Sequence, residues 1–279
     1  ANAMAKAAAG NTGEDARFKE HWGDPENNDG FYAGTPVGTV TVIVENTTYS
    51  GAPEGLYSDP NAPDYSLEKA IVYETTYTIG DEDSMMTVIL RALADSGYEW
   101  TGTGGSKFGI SYLSGIMKKG EKDIKLAEFD GGDESGWMGT LNGFFVNLSF
   151  AEFTVKKNQS TNIQLADGDV IHVMYTSTGL GEDLGGTFYN SDMTLKALKV
   201  MDGDKTLVLA PEFEASAAEP GGTYSYTVMI DDNATELTIL ADAANKNYLV
   251  KRFLNEKVTD NTEGSSYYKS TQAIPVVSG

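Results

Sequence analysis

The sequence predicts two domains of different class, an α+β domain followed by an all-β domain. In the first, stretches with the period-two alternation of half-buried strands lie on either side of a single stretch with helical spacing, residues 84–96. After residue 192 the chain contains only strand-like stretches separated by turn signals. These patterns indicate a mixed sheet that clasps one helix, followed by a β-sandwich.

The charge of the chain limits the classes of partner. The 279 residues include 41 acidic and 20 basic side chains, which give a formal net charge of -21. Such a charge repels nucleic-acid phosphates and anionic lipid surfaces, so we expect neither as a partner. No apolar run is long enough to cross a bilayer, and we expect no membrane insertion.

The chain has no cysteine and only two histidines. Disulfides, thiolate metal sites and cysteine nucleophiles are therefore excluded, and a nucleophile with its base and orienting group is difficult to assemble. We expect a protein without catalytic activity. A composition rich in Gly, Asp, Thr and Tyr without Cys is typical of secreted or wall-associated proteins of Gram-positive bacteria, and we expect that location. An acidic cytoplasmic protein is the alternative.

Residues 1–35 are predicted to form a polar N-terminal tail. They are rich in Gly and Asn and lack sustained periodicity, so they bury too little apolar surface to offset the entropy of ordering. Ala1-Asn2-Ala3 ahead of Met4 resembles a remnant of cloning. For His21 and Trp22, a local metal or partner contact is the alternative to a flexible segment.

The first domain, residues 36–178, is predicted to begin with two strands, near 40–44 and 71–79, followed by the helix. The connection 47–67 is long for a compact domain. Its tyrosines, Tyr49, Tyr57 and Tyr65, are either a lid over a ligand or side chains that pack against the sheet.

The helix is predicted from apolar residues at positions i, i+3, i+4 and i+7. Asp83 or Ser84 is suited to cap its N-terminus, and Gly97 to end it in a left-handed conformation. The apolar face is formed by Met86, Ile89, Leu90 and Leu93.

Residues 120–134 concentrate acidic side chains around glycines. Clustered oxygen ligands on such a loop are suited to Ca²⁺, but their spacing does not fit an EF-hand. We expect a solvated acidic loop, with Ca²⁺ binding as the less favoured alternative.

Three strands are predicted between residues 135 and 175. Asn142-Gly143 lies between apolar runs and is a strong hairpin signal, because both residues tolerate positive φ. Asp167-Gly168 marks a second turn, and the run from Val170 to Tyr175 has the apolar content of a strand buried on both faces.

The same stretch carries a resemblance to a known family. Its landmarks are Ser135-Gly136-Trp137-Met138, Leu141-Asn142-Gly143, the run from Leu165 to Ile171, and Tyr175-Thr176. Over residues 37–176 the sequence resembles the bacterial DUF4430 domain, a β-grasp domain similar to the C-terminal β-domain of transcobalamin and intrinsic factor. The resemblance implies binding of a small ligand, with cobalamin or another corrinoid as the candidate, and no catalysis.

The resemblance also nominates ligand-binding residues. Those matched to the corrin-contacting segment of the relatives are Trp137, Met138, Thr140, Leu141, Phe144, Phe145 and Val146, and a less certain second segment contributes Phe108, Ile110 and Tyr112. The alternative for Trp137 is a place in the core between helix and sheet. For His172, between two apolar residues of a strand, we expect a structural role.

The second half is predicted to contain a linker, residues 179–192, and a β-sandwich, residues 193–279. Strands are expected at 195–200, 206–209, 224–230, 236–243 and 248–253. Leu-Lys-Ala-Leu-Lys-Val from Leu195 and Tyr-Ser-Tyr-Thr-Val from Tyr224 resemble the cadherin-like β-sandwich repeat of bacterial surface proteins. Because that repeat has further strands after the one expected near 274–277, we expect either that the natural protein continues or that the N-terminal tail completes the sheet.

Two functions follow as expectations. One is a ligand-binding module displayed outside the cell, and the other is a structural or adhesive spacer of a larger wall-associated protein. The expected partners are a small molecule or an extracellular protein, and we expect the protein to be a monomer.

Overall fold

The computed structural model describes residues 32–49, 67, 70–104, 110–156, 163–186, 192–215, 224–254, 267–268 and 272–276. Over this part of the chain the protein is rich in β-sheet, with several separate sheets and one α-helix. Two compact units are present: the first comprises the residues up to Gly186 apart from 142–144, and the second comprises the remainder.

The first unit contains eight strands and the helix in the described part of the chain. The elements are β1 (Pro36–Glu45), β2 (Ala70–Gly80), α1 (Met85–Asp95), β3 (Tyr98–Thr103), β4 (Tyr112–Lys118), β5 (Glu121–Ala127), β6 (Gly136–Leu141), β7 (Phe144–Phe145) and β8 (Val170–Thr176). Short 3-10 helices lie at Phe150–Glu152 and Glu182–Leu184.

The principal sheet has five strands in the order β2-β1-β8-β6-β7. β1 pairs with β2 in antiparallel fashion and with β8 in parallel, and β6 pairs with β8 in antiparallel fashion. Along the central pair, Val42 lies opposite Ile171 and Val44 opposite Val173. All four side chains are buried, so alternate residues of the two central strands form the floor of the core.

Helix α1 closes this core from one side, and its prediction is confirmed. Ser84 is the N-cap: its hydroxyl accepts from the Thr87 amide, and the Thr87 hydroxyl accepts from the Ser84 amide, which is a capping box. Every residue from Met85 to Ala94 is buried. Gly97 has a φ of 85°, the left-handed conformation expected just past the helix.

A buried ion pair joins the start of the helix to the edge of the sheet. Arg91 Nη2 lies 3.0 Å from Asp83 Oδ2, and both side chains are almost fully buried. The same carboxylate accepts from the amides of Gly80 at 2.8 Å and Ala33 at 3.1 Å, and from the Thr87 hydroxyl at 2.7 Å. The carboxylate is therefore compensated by a charge and by three further donors, as a buried charge requires.

The predicted tail ends earlier than residue 35. Ala33 is fully buried, and its amide and carbonyl bond Asp83 Oδ2 and the Glu82 amide. The Thr35 amide donates to Asp81 Oδ1 at 2.9 Å. These long-range bonds hold residues 33–35 against the turn after β2. His21 and Trp22 lie outside the described residues.

A second sheet in the first unit has the order β3-β4-β5. The expectation that residues 120–134 are a solvated loop is wrong for its first half, since Glu121–Ala127 is strand β5. Ile116 lies opposite Leu126 across β4 and β5, and both are buried. The strand forms despite its charges because Ile124 and Leu126 pack into the core while Asp123 and Lys125 between them are exposed.

The second unit is composed of strands in its described part. They are β9 (Leu195–Asp202), β10 (Lys205–Leu207), β11 (Leu209–Ala210), β12 (Thr227–Val228), β13 (Glu236–Ala243) and β14 (Ala273–Pro275). Four form a sheet in the order β10-β9-β13-β14, and β11 pairs with β12.

Two strand predictions in this unit need correction. The stretch predicted at 224–230 is a strand only at Thr227–Val228, and 248–253 contains an isolated bridge from Arg252 to Tyr268 in place of a strand. Tyr224 is 46% exposed and Ile230 37%, so the residues predicted to face inward in this stretch do not form a buried face.

Candidate functional site

The predicted ligand-binding strand, β6, presents two different faces. Trp137, Gly139 and Leu141 are buried in the core that α1 covers. Met138, between them, lies on the opposite face, where it packs against a smaller cluster. Successive side chains of a strand point to opposite sides of a sheet, so Trp137 and Met138 lie in different environments.

Trp137 is a fully engaged core residue. Its side chain is 7% exposed, and the indole N–H donates to the Leu126 carbonyl at 3.0 Å. Its ring meets the Tyr175 ring edge to face, with centroids 5.3 Å apart. A buried tryptophan needs a partner for its N–H, and here the carbonyl of the neighbouring sheet supplies one.

Tyr175 ties three chain segments together under this core. Its hydroxyl donates to the Ala127 carbonyl at 2.8 Å, accepts from the Gly131 amide at 3.0 Å, and lies 2.9 Å from Ser135 Oγ. Burial raises the pKa of Tyr175 to about 12, although the bonds from Ser135 and Gly131 act in the opposite direction. The residue is a neutral structural link between β8 and the turn before β6.

Tyr49 completes the aromatic cluster. It is 4% exposed, and its ring lies 5.5 Å from that of Tyr175 in an edge-to-face arrangement. For this residue the structure shows packing against the sheet. Tyr57 and Tyr65, the other two residues of the predicted lid, lie outside the described residues.

Glycine at position 139 is required by close packing. A Cβ there would lie 2.7 Å from a ring carbon of Phe150 and 3.0 Å from Cε of Met85. Both contacts are closer than carbon atoms approach one another in folded proteins. The backbone of β6 is therefore in direct contact with the helix-side core, and this face of the hairpin is filled.

The opposite face carries a smaller apolar cluster. Phe145, Met174 and Leu184 are buried there, with Met138 partly buried against them. The segment predicted as a linker takes part in this cluster, since Leu184 lies in the 3-10 turn Glu182–Leu184.

Polar bonds hold the 3-10 turn against the end of β8. Asp183 accepts from the Thr176 hydroxyl at 2.6 Å and from the Ser177 amide at 2.8 Å. The Gly181 amide donates to Thr176 Oγ1 at 2.9 Å. The segment up to Gly186 therefore belongs to the first unit and is not an open linker.

A histidine–carboxylate pair, ionic only when the histidine is protonated, lies farther along the same face. His172 Nε2 is 3.3 Å from Glu45 Oε1, on the parallel strands β8 and β1. Burial would raise the pKa of Glu45, but bonds from His172 and Thr47 and the charge of His172 lower it to about 2. His172 thus has the structural partner expected for it, and sequence patterns gave no signal that Glu45 would be that partner.

The second predicted contact segment is only partly described. Phe108 lies outside the described residues, and Ile110 is half-buried against the helix-side core. Tyr112 is 48% exposed, and its hydroxyl donates to Glu128 Oε2 at 2.5 Å. Partial burial and then the bond to the Glu128 carboxylate raise the pKa of Tyr112 to about 12.

The nominated residues therefore divide into two groups. Trp137, Thr140, Leu141 and Phe145 are buried, whereas Ile110, Met138, Phe144 and Val146 are half-buried and Tyr112 is exposed. The structure does not gather the nine described residues into one surface. Access for a ligand is retained by the second group alone.

The part of the chain that the structure describes holds no group of three or more metal-ligating side chains. In the predicted acidic loop, Asp130 Oδ2 accepts from the Ala127 amide at 2.7 Å, so this carboxylate closes a turn. No helix among the described residues is long and apolar enough to span a bilayer.

Comparison with known proteins gives no assignment: no family model, no curated protein and no solved structure matches the chain.

Proposed function

We propose that the protein is a non-catalytic structural or adhesive module of a larger extracellular, wall-associated protein, and that its first unit is a β-grasp domain of the DUF4430 kind. A β-grasp domain is a mixed sheet that clasps one helix. The parallel pair β1–β8 at the centre, the antiparallel strands on both sides and the position of α1 after β2 all support this assignment.

One observation favours the structural role over the ligand-binding role expected from the sequence. The indole of Trp137, the first of the nominated corrin contacts, is buried and donates to the Leu126 carbonyl. A corrin could reach it only if the sheet β3-β4-β5 moved away and left that carbonyl and the indole N–H unpaired, which costs roughly 1–3 kcal/mol for each buried group. The helix-side core is filled by the chain itself, and this favours a structural role.

A structural role also accounts for the residues that hold the first unit together. Tyr175, Asp83 and Glu45 are each engaged by two or more partners, at least one of them far along the chain. Their bonds are made within the protein. The acidic surface, with its formal charge of -21, keeps such a module soluble and disfavours contact with other acidic surfaces.

Corrinoid binding remains the second candidate because one flank stays accessible. Tyr112 is 48% exposed on β4, and Ile110 beside it is half-buried. An exposed tyrosine next to an aliphatic residue offers a stacking surface to a flat ligand.

Calorimetric titration of the full chain with cyanocobalamin tests the choice. We expect no saturable heat up to high micromolar concentrations, for the wild type and for Tyr112→Ala alike. Saturable binding by the wild type would overturn the structural assignment. If Tyr112→Ala then abolished that binding, the ligand site would lie on the flank of β4.

Parallel titrations with Ca²⁺ and with a small set of sugars extend the test to other ligand classes. A saturable heat with any of them would likewise contradict a purely structural module.

A further inference from the structure

Strand β2 is the longest exposed sheet edge in the part of the chain that the structure describes. It has 11 residues and lies at the end of the five-stranded sheet, where no described strand pairs with its outer side. Tyr73 is 76% exposed, and Glu74, Thr75 and Thr76 are exposed as well.

The direction of the backbone groups along β2 follows from the bonds of its neighbour. The Thr41 amide donates to the Asp169 carbonyl at 2.9 Å, so the backbone groups of Thr41 point toward β8. Thr76 lies directly opposite Thr41 in the antiparallel pair. In an antiparallel pair, two opposite residues either exchange both backbone hydrogen bonds or exchange none. Since the backbone groups of Thr41 point toward β8, the N–H and C=O of Thr76 point away from β1, toward the open edge.

The same argument applies two residues farther along. Thr39, opposite Thr78, accepts from the Gly168 amide at 2.8 Å on the β8 side. The Thr78 backbone therefore also points outward, and its carbonyl receives Arg91 Nη2 at 3.3 Å. The exposed residues of β2 run from Tyr73 to Thr76, so Thr76 is the last of them before the half-buried Tyr77 and the carbonyl that Arg91 occupies.

Three other described edges carry features that discourage strand pairing. β5 has charged residues at four of its seven positions, and β14 has three residues and ends in Pro275. β10 has three residues and begins with Lys205. Between Tyr73 and Ile79, β2 has one charged residue, Glu74, and no proline or lysine. Edge strands avoid pairing by short length, charge, proline and bulges. The pairing of β2 with β1 is irregular between Val72 and Thr75, but from Thr75 to Ile79 β2 is regular and has no charge and no proline. The edge strand β3 also has one charge and no proline, but it is shorter, with six residues.

We propose that the β2 edge binds the β2 edge of a second copy of this chain, in antiparallel pairing about a two-fold axis. With a two-fold axis, the same edge of each copy forms the interface, so the assembly is a closed dimer. With the axis at Thr76, the outward-pointing backbone of Thr76 lies opposite that of its own copy. With the axis at Thr75, Thr76 lies opposite Glu74 of the other copy. In either register Glu74 faces a threonine, Thr76 or Thr78, so the axis places no like charges directly opposite.

The chemistry of the segment fits this occupant. Threonine and tyrosine favour extended structure and form stabilising cross-strand pairs. The opposing factor is long-range repulsion, because each copy carries a formal charge of -21. Raising the salt concentration screens that repulsion and therefore strengthens pairing between two copies. The same change would weaken the binding of a basic partner, because it would screen an attraction. This dimer differs from the monomer expected from the sequence.

Cysteine crosslinking tests the proposal directly, because the chain contains no cysteine. The full-length variants Thr75→Cys and Thr76→Cys are oxidised under mild conditions, with Thr103→Cys on the exposed end of β3 as the control. Opposite residues of an antiparallel pair have Cα atoms about 4.5–5.5 Å apart, within disulfide range. We expect one β2 variant to form disulfide dimers at least about tenfold faster than the control, and to do so faster at higher salt.

Sedimentation equilibrium of the cysteine-free chain supplies the second readout. We expect a dimer population that rises with salt and is lost in Thr76→Lys but kept in Thr103→Lys, with the secondary structure of both variants unchanged by circular dichroism. A monomer at every concentration and salt, crosslinking no faster than the control, or a dimer that survives Thr76→Lys would each overturn the proposal.

Discussion

The two faces of the five-stranded sheet differ in how they are built. The face toward α1 is a dense core in which Trp137, Tyr175 and the helix leave no space beside Gly139. The other face has a small cluster around Phe145 and Met174 and an ion pair between Glu45 and His172. We infer that most of the free energy of folding from this sheet comes from the helix face, and that the contacts on the opposite face contribute less and are more polar.

Replacing Asp83 by alanine should give the largest effect. The change leaves the Arg91 charge buried without its carboxylate and removes acceptors for the Ala33 and Gly80 amides. Breaking a buried pair by removing one partner costs about 3–5 kcal/mol. Urea unfolding followed by circular dichroism measures it, and the double variant Asp83→Ala/Arg91→Met should regain part of the loss. Equal stability of wild type and Asp83→Ala would show that the pair is not buried.

Trp137→Ala and Met138→Ala compare the two faces at adjacent positions. Trp137 is in the helix-side core, and its removal should cost about 3–5 kcal/mol. Met138 is only partly buried, and its loss should cost about 1 kcal/mol. Both values come from urea unfolding of the full chain. A larger loss for Met138→Ala would reverse the assignment of the faces.

The Glu45–His172 pair predicts a pH dependence for the opposite face. The pKa of Glu45 is lowered from 4.5 to about 2, so the folded state favours its charged form. The resulting stability is fully present above about pH 4.5 and is lost as the pH falls toward 2, with an upper limit of about 3 kcal/mol.

Glu45→Gln should remove that dependence. Its stability relative to wild type should be lowest near neutral pH and should approach the wild-type value toward pH 2, as measured by thermal unfolding across this range. Glu134→Gln, at an exposed position of the same unit, is the matched control. A constant difference between Glu45→Gln and wild type over the whole range would contradict the ion pair.

Tyr175→Phe should have the next smaller effect. The ring remains in the core, but the Ala127 carbonyl loses its buried partner, and the Gly131 amide keeps only Ser135 Oγ at 2.9 Å. An unsatisfied buried group costs about 1–3 kcal/mol. Amide hydrogen exchange at Gly131 should speed up relative to wild type, and unchanged exchange would show that water replaces the hydroxyl.

Much of the fold follows from local patterns in the sequence. The alternation in β1 and β2, the helical spacing of α1 with its cap at Ser84, and the Asn142-Gly143 turn depend on neighbouring residues. In the structure Asn142 and Gly143 have φ values of 53° and 82°, the positive φ that the hairpin signal requires. Patterns of this kind are visible without any knowledge of tertiary contacts.

Other features depend on partners far along the chain. Asp83 bonds Ala33 across 50 residues, and the Tyr175 hydroxyl bonds Ala127 across 48. Strand β5 reads as an acidic loop because its outward side chains are charged, and only its pairing with β4 identifies it. For the candidate site, period-two alternation separated Trp137 from Met138, but which of the two would be covered was set by the position of the helix.

The central claim is that Trp137 belongs to the core and is not available to a guest molecule. The most direct test is acrylamide quenching in a variant that carries Trp22→Phe and Trp100→Phe, in which Trp137 is the remaining tryptophan. The account predicts weak quenching and emission that cyanocobalamin leaves unshifted after correction for absorption. Quenching as efficient as that of a free indole, or a saturable shift with cyanocobalamin, would contradict it.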